Sequence, residues 1–172
     1  MPILLWFPAT YIFLYLYGPT TPATFLIPAN FEGKFRVVYG EKCGIERMLE
    51  KGRRILHIPL SGILIIKPKF ESGRIDHEYF LIDKKGNKTT INQEIYFDDK
   101  SKEYPSIFLG GSGSIGGSMP DGSTSTESLE AIHFSDFWLC NKETTDSDNY
   151  KETIRFDSLT TTEVDNCRQP LK

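Results

Sequence analysis

The side chains able to do chemistry in this 172-residue chain are few and widely spaced. The histidines His57, His77 and His133 each lie in or beside an apolar, β-branched stretch, with no second ligand at metal spacing. All three therefore read as structural or surface residues. His133 has the most suggestive neighbours: Asp136 follows it closely and Ser112 lies in a serine-rich stretch upstream, which are the residue types of an acyl-transfer triad. A triad is defined by geometry and not by chain order, so a hydrolase using His133 with a loop serine is the alternative reading, behind a non-catalytic domain. No serine sits in a GxSxG elbow. Asp146 and Asp148 with Glu152 are hard oxygen donors close together, as Ca²⁺ prefers, but Tyr150 takes a ligand position and no glycine follows it. They form a weak calcium candidate. No catalytic residue and no other metal ligand is expected.

Residues 111–116 match GxGxxG literally and follow an apolar stretch. A dinucleotide site also needs a helix whose N-terminus holds the pyrophosphate, and Met119-Pro120-Asp121-Gly122 is a poor helix start. No cofactor is expected, and residues 110–128 read as a mobile Gly/Ser loop. The net charge of -3 and the interleaving of basic with acidic residues give no nucleic-acid face. Cys43, Cys140 and Cys167 are too far apart for a metal knuckle. In an oxidising compartment one bridge and one spare thiol is the natural count, with Cys140 and Cys167 the expected pair; three buried reduced thiols are the alternative.

The elements that would position these residues are short strands. Residues 53–91 contain apolar, β-branched runs separated by Ser61-Gly62, with Pro59 and Pro68 marking strand ends. Gly86-Asn87, between two β-prone stretches, predicts a tight hairpin. In residues 34–39, Phe35, Val37 and Tyr39 share a face while Lys34 and Arg36 face water. Residues 130–140 carry apolar side chains on both parities, which predicts a central strand with a bulge near Ser135-Asp136. Residues 45–50 alone have helical spacing, and residues 153–156 read as a last strand. The sum is an all-β domain, an antiparallel β-sandwich or, alternatively, a small open barrel. It spans residues 24–159, with a polar tail at 160–172.

Residues 3–17 are apolar and uncharged, a length that fits an export signal better than a transmembrane helix of about 20 residues. Residues 1–23 are therefore expected to be a signal-like or anchor segment with a Pro/Thr spacer, through which membrane attachment would occur.

The order Phe25-Leu26-Ile27-Pro28, Gly33 before an alternating strand, Ile58-Pro59 followed by Ser61-Gly62-Ile63-Leu64, and Tyr79-Phe80 ahead of Asp83 and a Gly-Asn turn resembles a family of uncharacterised bacterial exported, lipoprotein-like β-rich domains. The resemblance covers about residues 24–140 and extends to Ile107-Phe108 and Gly110-Gly111. It implies an extracytoplasmic location, in the cell envelope or secreted, and carries over no catalytic residues. The expected role is binding or structural, with an envelope protein or a glycan as partner.

Overall fold

The computed structural model describes residues 18, 20–46, 48–94, 105–140 and 149–169, and omits the side chains of Cys140 and of residues 149–153. The apolar segment 3–17 and the calcium candidates Asp146 and Asp148 lie outside the described residues, as does the side chain of Glu152.

The described chain forms β1 (Ala23–Pro28), β2 (Gly33–Tyr39), β3 (Leu49–Glu50), β4 (Arg53–His57), β5 (Ile63–Ile65), β6 (His77–Ile82), β7 (Lys88–Ile91), β8 (Gln93–Glu94), β9 (Ser106–Ile115), β10 (Gly117–Ser118), β11 (Thr124–Ser125), β12 (Ile132–Cys140) and α1 (Asn149–Arg168). Two five-stranded sheets face each other, ordered β3-β4-β1-β6-β7 and β5-β2-β12-β9-β8. The all-β sandwich stands, and neither sheet closes into a barrel. The pairing is mixed: β1 runs parallel to both β4 and β6, and β2 parallel to β5. The cause is the path of the chain, which passes from one sheet to the other at β1–β2, β2–β3, β4–β5, β5–β6 and β7–β8. Neighbours within a sheet are thus often not consecutive in sequence, and they align without a hairpin.

The core between the sheets comes from alternating residues of both. Phe25 and Ile27 of β1, Leu56 of β4 and Tyr79 of β6 pack on Phe35 and Val37 of β2 and on Phe137 and Leu139 of β12. Phe35 and Phe137 are cross-strand partners whose rings stack at 5.0 Å. The β6–β7 hairpin forms as its sequence predicts, with Gly86 at φ +86° and the Asp83 carboxylate accepting the Lys85 and Asn87 N–H groups. The bulge also falls where expected, the register slipping at Asp136/Phe137 so that Gly110 of β9 has no partner. A Cβ on Gly110 would sit 2.7 Å from Trp138 Nε1, so only glycine fits there.

Four expectations are corrected. Residues 110–128 are not one loop: the first half extends β9 along β12 as far as Ile132↔Ile115. The described residues among 45–50 form no helix; Ile45 bridges Ile66 and residues 49–50 are β3. Residues 153–156 and residues 160–168 of the expected tail belong to α1, in which Thr160 and Val164 are fully buried. Lys34 and Arg36 do not face water. The helix covers their side of the second sheet, packing Phe156 and Val164 against Val38, Ile63, Ile132 and Phe134.

Beneath that helix lies an ionic cluster. Arg36 is fully buried; its Nε and Nη2 donate to the two Asp136 oxygens at 2.6 and 3.0 Å, and its Nη1 donates to Asp157 at 2.7 Å and Thr160 at 3.0 Å. The guanidinium lies 3.5 Å from the centre of the Phe134 ring, and Lys34 Nζ shares Asp136 at 2.7 Å. Burial opposes the Arg36 charge, but Asp136 and Asp157 outweigh it and hold the group above its ordinary pKa.

The cysteine pairing also differs from the expected Cys140–Cys167. Cys167, in the last turn of α1, is bonded to Cys43, 124 residues away. Arg168 beside it donates to both Glu41 oxygens at 2.8 and 2.6 Å. Cys140 is the last residue of β12, and the helix carries Cys167 instead to the loop after β2.

Replacing Asp136 by Ala leaves Arg36 and Lys34 buried without their shared carboxylate. Loss of one partner from a buried pair costs about 3–5 kcal/mol. Urea unfolding at neutral pH is expected to show that loss; a change under about 1 kcal/mol, typical of exposed pairs, would contradict the buried role.

Candidate functional site: a cavity where both inner faces turn polar

The apolar rows of the sandwich stop short of one end. In the first sheet the row Leu56–Phe25–Tyr79 is followed by Arg54–Ala23–His77, aligned through Ala23. Strand alternation keeps Arg54 and His77 on the inner face: Arg54 is only 6% exposed, and the His77 ring packs 5.1 Å from that of Phe25. In the second sheet the row containing Phe137 is followed by Val37–Ser135–Ser112, and then by Tyr39–His133–Ser114. The Ser112 and Ser135 hydroxyls are 2.7 Å apart.

Between these polar ends is a cavity of about 250 Å³. Its polar walls are Arg54, His77, Tyr39 and the serine pair; its apolar walls include Phe70, Ile75 and Leu109. The loop after β5 closes the mouth. Glu71 accepts from Arg54 Nη2 at 2.8 Å through one oxygen and from the Thr21 N–H at 2.7 Å through the other. Thr20 pins the strand's lead-in to the same loop, its N–H and hydroxyl both donating to the Arg74 carbonyl.

Two buried nitrogens here have no hydrogen-bond partner, Arg54 Nε and His77 Nδ1. Buried polar groups are nearly always satisfied, so both mark a place where polar contacts remain unfilled. Burial lowers the pKa of His77, against the neighbouring Asp76 backbone, which raises it. Burial raises that of Tyr39, against a hydrogen bond with Ser135. Both are therefore neutral at pH 7. Burial also pushes the Glu71 carboxyl up, but the Thr21 hydrogen bonds and Arg54 prevail and hold it below the usual carboxylate range.

The triad drawn from sequence is not assembled. Asp136 gives its carboxylate to Arg36 and Lys34, and the Ser112 hydroxyl meets Ser135. His133 lines a separate, wider groove with Glu41, Arg168 and the loop before β12. Residues 111–116 lie within β9 and the step out of it, with no helix after them. Among the described residues no cluster of His, Cys, Asp and Glu could hold a metal.

A family model described as "Family of unknown function (DUF6843)" matches residues 19–148. The chain belongs to this family. The match bears out the resemblance read from the sequence and extends past it at both ends, taking in Thr20 and Thr21, which close the cavity. No curated protein is significantly similar to the chain. A crystal structure from Bacillus anthracis, described as a "Putative Lipoprotein", has the same fold: TM-score 0.61 at 18% identity, over 90% of this chain and 100% of that one.

Arg54, Glu71, Tyr39 and His77 were not singled out as site residues by sequence reasoning. The legible signal was a charge on the wrong parity: Arg54 shares its face with Leu56 and Ile58, both buried, where a surface strand would place it opposite.

His77 in the unfolded chain regains a pKa of about 6.5. Between that value and its lower folded value the unfolded chain binds more protons, so stability rises with pH across this window. Imidazole shifts followed by NMR are expected to place His77 below 6.5, and His77→Gln should flatten that part of the stability profile. Titration of His77 at or above 6.5 would contradict its burial.

Proposed function

We propose that the protein is a non-enzymatic binding domain of the bacterial cell envelope, exported or held there through residues 3–17, and that the inter-sheet cavity is its ligand site. The observation that carries the reading is the cavity, where inward-facing polar residues from both sheets converge while two buried nitrogens go unpaired. A core grown only for stability would fill this end with apolar side chains. The location is supported by the Cys43–Cys167 bridge, since disulfides persist in oxidising compartments, and by the fold shared with a protein described as a lipoprotein. Among the described residues no helix is long and apolar enough to cross a membrane. The ligand is a small molecule, free or the end of an envelope glycan: the cavity is smaller than the roughly 300–1,000 Å³ of drug-sized sites.

Fractionation of cells expressing the full reading frame, with the mature N-terminus and the cysteine-bridged peptides read by mass spectrometry, tests this. The expected result is an envelope or secreted chain, processed or anchored through its first 23 residues, with Cys43 and Cys167 recovered as one bridged pair. An intact cytoplasmic chain with all thiols reduced would contradict it. Cys43→Ser is expected to cost about 2–5 kcal/mol of stability.

A further inference from the structure

We infer that the cavity takes a small organic carboxylate, which replaces the carboxylate of Glu71 on Arg54; this rests on the reading of the cavity as a ligand site. Arg54 cannot leave: it is 6% exposed, held on the inner face of β4 between the two sheets. Its planar guanidinium offers donors on two adjacent edges, yet Glu71 engages only Nη2, with a single oxygen, and turns its other oxygen to the Thr21 N–H. The Nε donor beside it is unfilled. A carboxylate lying in the guanidinium plane would satisfy Nε and Nη2 together, the two-point contact that Glu71 does not make.

Glu71, by contrast, is free to yield. Its side chain is 38% exposed and sits on the loop between β5 and β6, so it can turn to water when displaced. It is in effect a resident stand-in for the ligand's acid group. The rest of the lining defines the body of that ligand. Leu109, Phe70 and Ile75 offer apolar contact, and the Ser112–Ser135 pair with Tyr39 offers hydroxyls across the cavity from Arg54. Arg54 is the only Lys or Arg among the described lining residues, and His77 is neutral. One positive charge suits a monoanionic carboxylate better than a phosphate dianion.

Benzoate and isovalerate, each beside its neutral amide, are the probes for calorimetric titration of the whole domain in wild-type, Glu71→Gln and Arg54→Gln forms. Glu71→Gln removes the competing charge, so benzoate is expected to bind it about tenfold tighter than wild type, a factor within the worth of one charge-assisted hydrogen bond. Benzamide should gain nothing, and Arg54→Gln should lose the carboxylate preference. If Arg54→Gln does not fold, the wild-type and Glu71→Gln comparison decides alone. Equal binding of acid and amide by Glu71→Gln overturns the carboxylate inference and leaves the cavity a ligand site. Failure of all probes to bind folded Glu71→Gln overturns both.

Discussion

The contact between Arg36 and Asp136 holds the architecture together. A guanidinium with no exposed surface is tolerated only if its charge is matched and its donors are filled, because the desolvation of an unpaired ion exceeds what one domain can absorb. Three elements must be in register for that: β2 supplies Arg36, β12 the Asp136 fork, and α1 the Asp157 and Thr160 acceptors. The helix itself has few apolar residues, so its docking depends on this polar seam together with Phe156 and Val164. At its far end the Cys43–Cys167 bond and the Arg168–Glu41 pair tie it to the loop that follows β2. A charged network of this kind contributes orientation more than net stability, and it fixes one placement of the helix on the sheet.

The opposite face of the same two strands builds the cavity. Tyr39 belongs to β2 and Ser135 to β12, one residue from Asp136, so the outer face that grips the helix and the inner face that lines the cavity share a backbone. The Gly110 bulge in β9 lies beside both, shifting the register by which Ser112 comes opposite Ser135. Displacing the helix from the sheet would therefore disturb the serine pair and Tyr39 without touching Arg54 or His77, which the other sheet holds.

Much of the fold was legible because its signals were local. Gly86-Asn87 forces a hairpin, Pro59 and Pro68 end strands, and apolar residues on both parities of 130–140 require a strand flanked on both sides. What was hidden depended on contacts distant in sequence. Lys34 and Arg36 alternate with apolar residues in the way of a solvated face; only a helix more than a hundred residues later makes that face an interior one. The helix was obscured for the same reason. Its sheet-facing stripe is Phe156, Asp157, Thr160 and Val164, which carries too little hydrophobicity to register as a period of 3.6, and its run of threonines is β-prone until each hydroxyl turns back to a carbonyl one turn earlier. The glycines and serines of 110–115 suited a loop by composition, yet neighbouring β12 holds them as strand. The parallel pairings, the cysteine partner and the cavity are likewise products of topology, and of these only Arg54 left a trace in the sequence.

A crystallographic fragment screen tests the central claim, that the polar ends of the two inner faces form the binding site. Crystals of the domain soaked with a chemically mixed set of small fragments are predicted to show density between Arg54, His77 and the Ser112–Ser135 pair, with acids enriched among the occupants. Fragments collecting instead in the groove beside His133, or only on the sheet edges, with the cavity unvisited, would contradict the account.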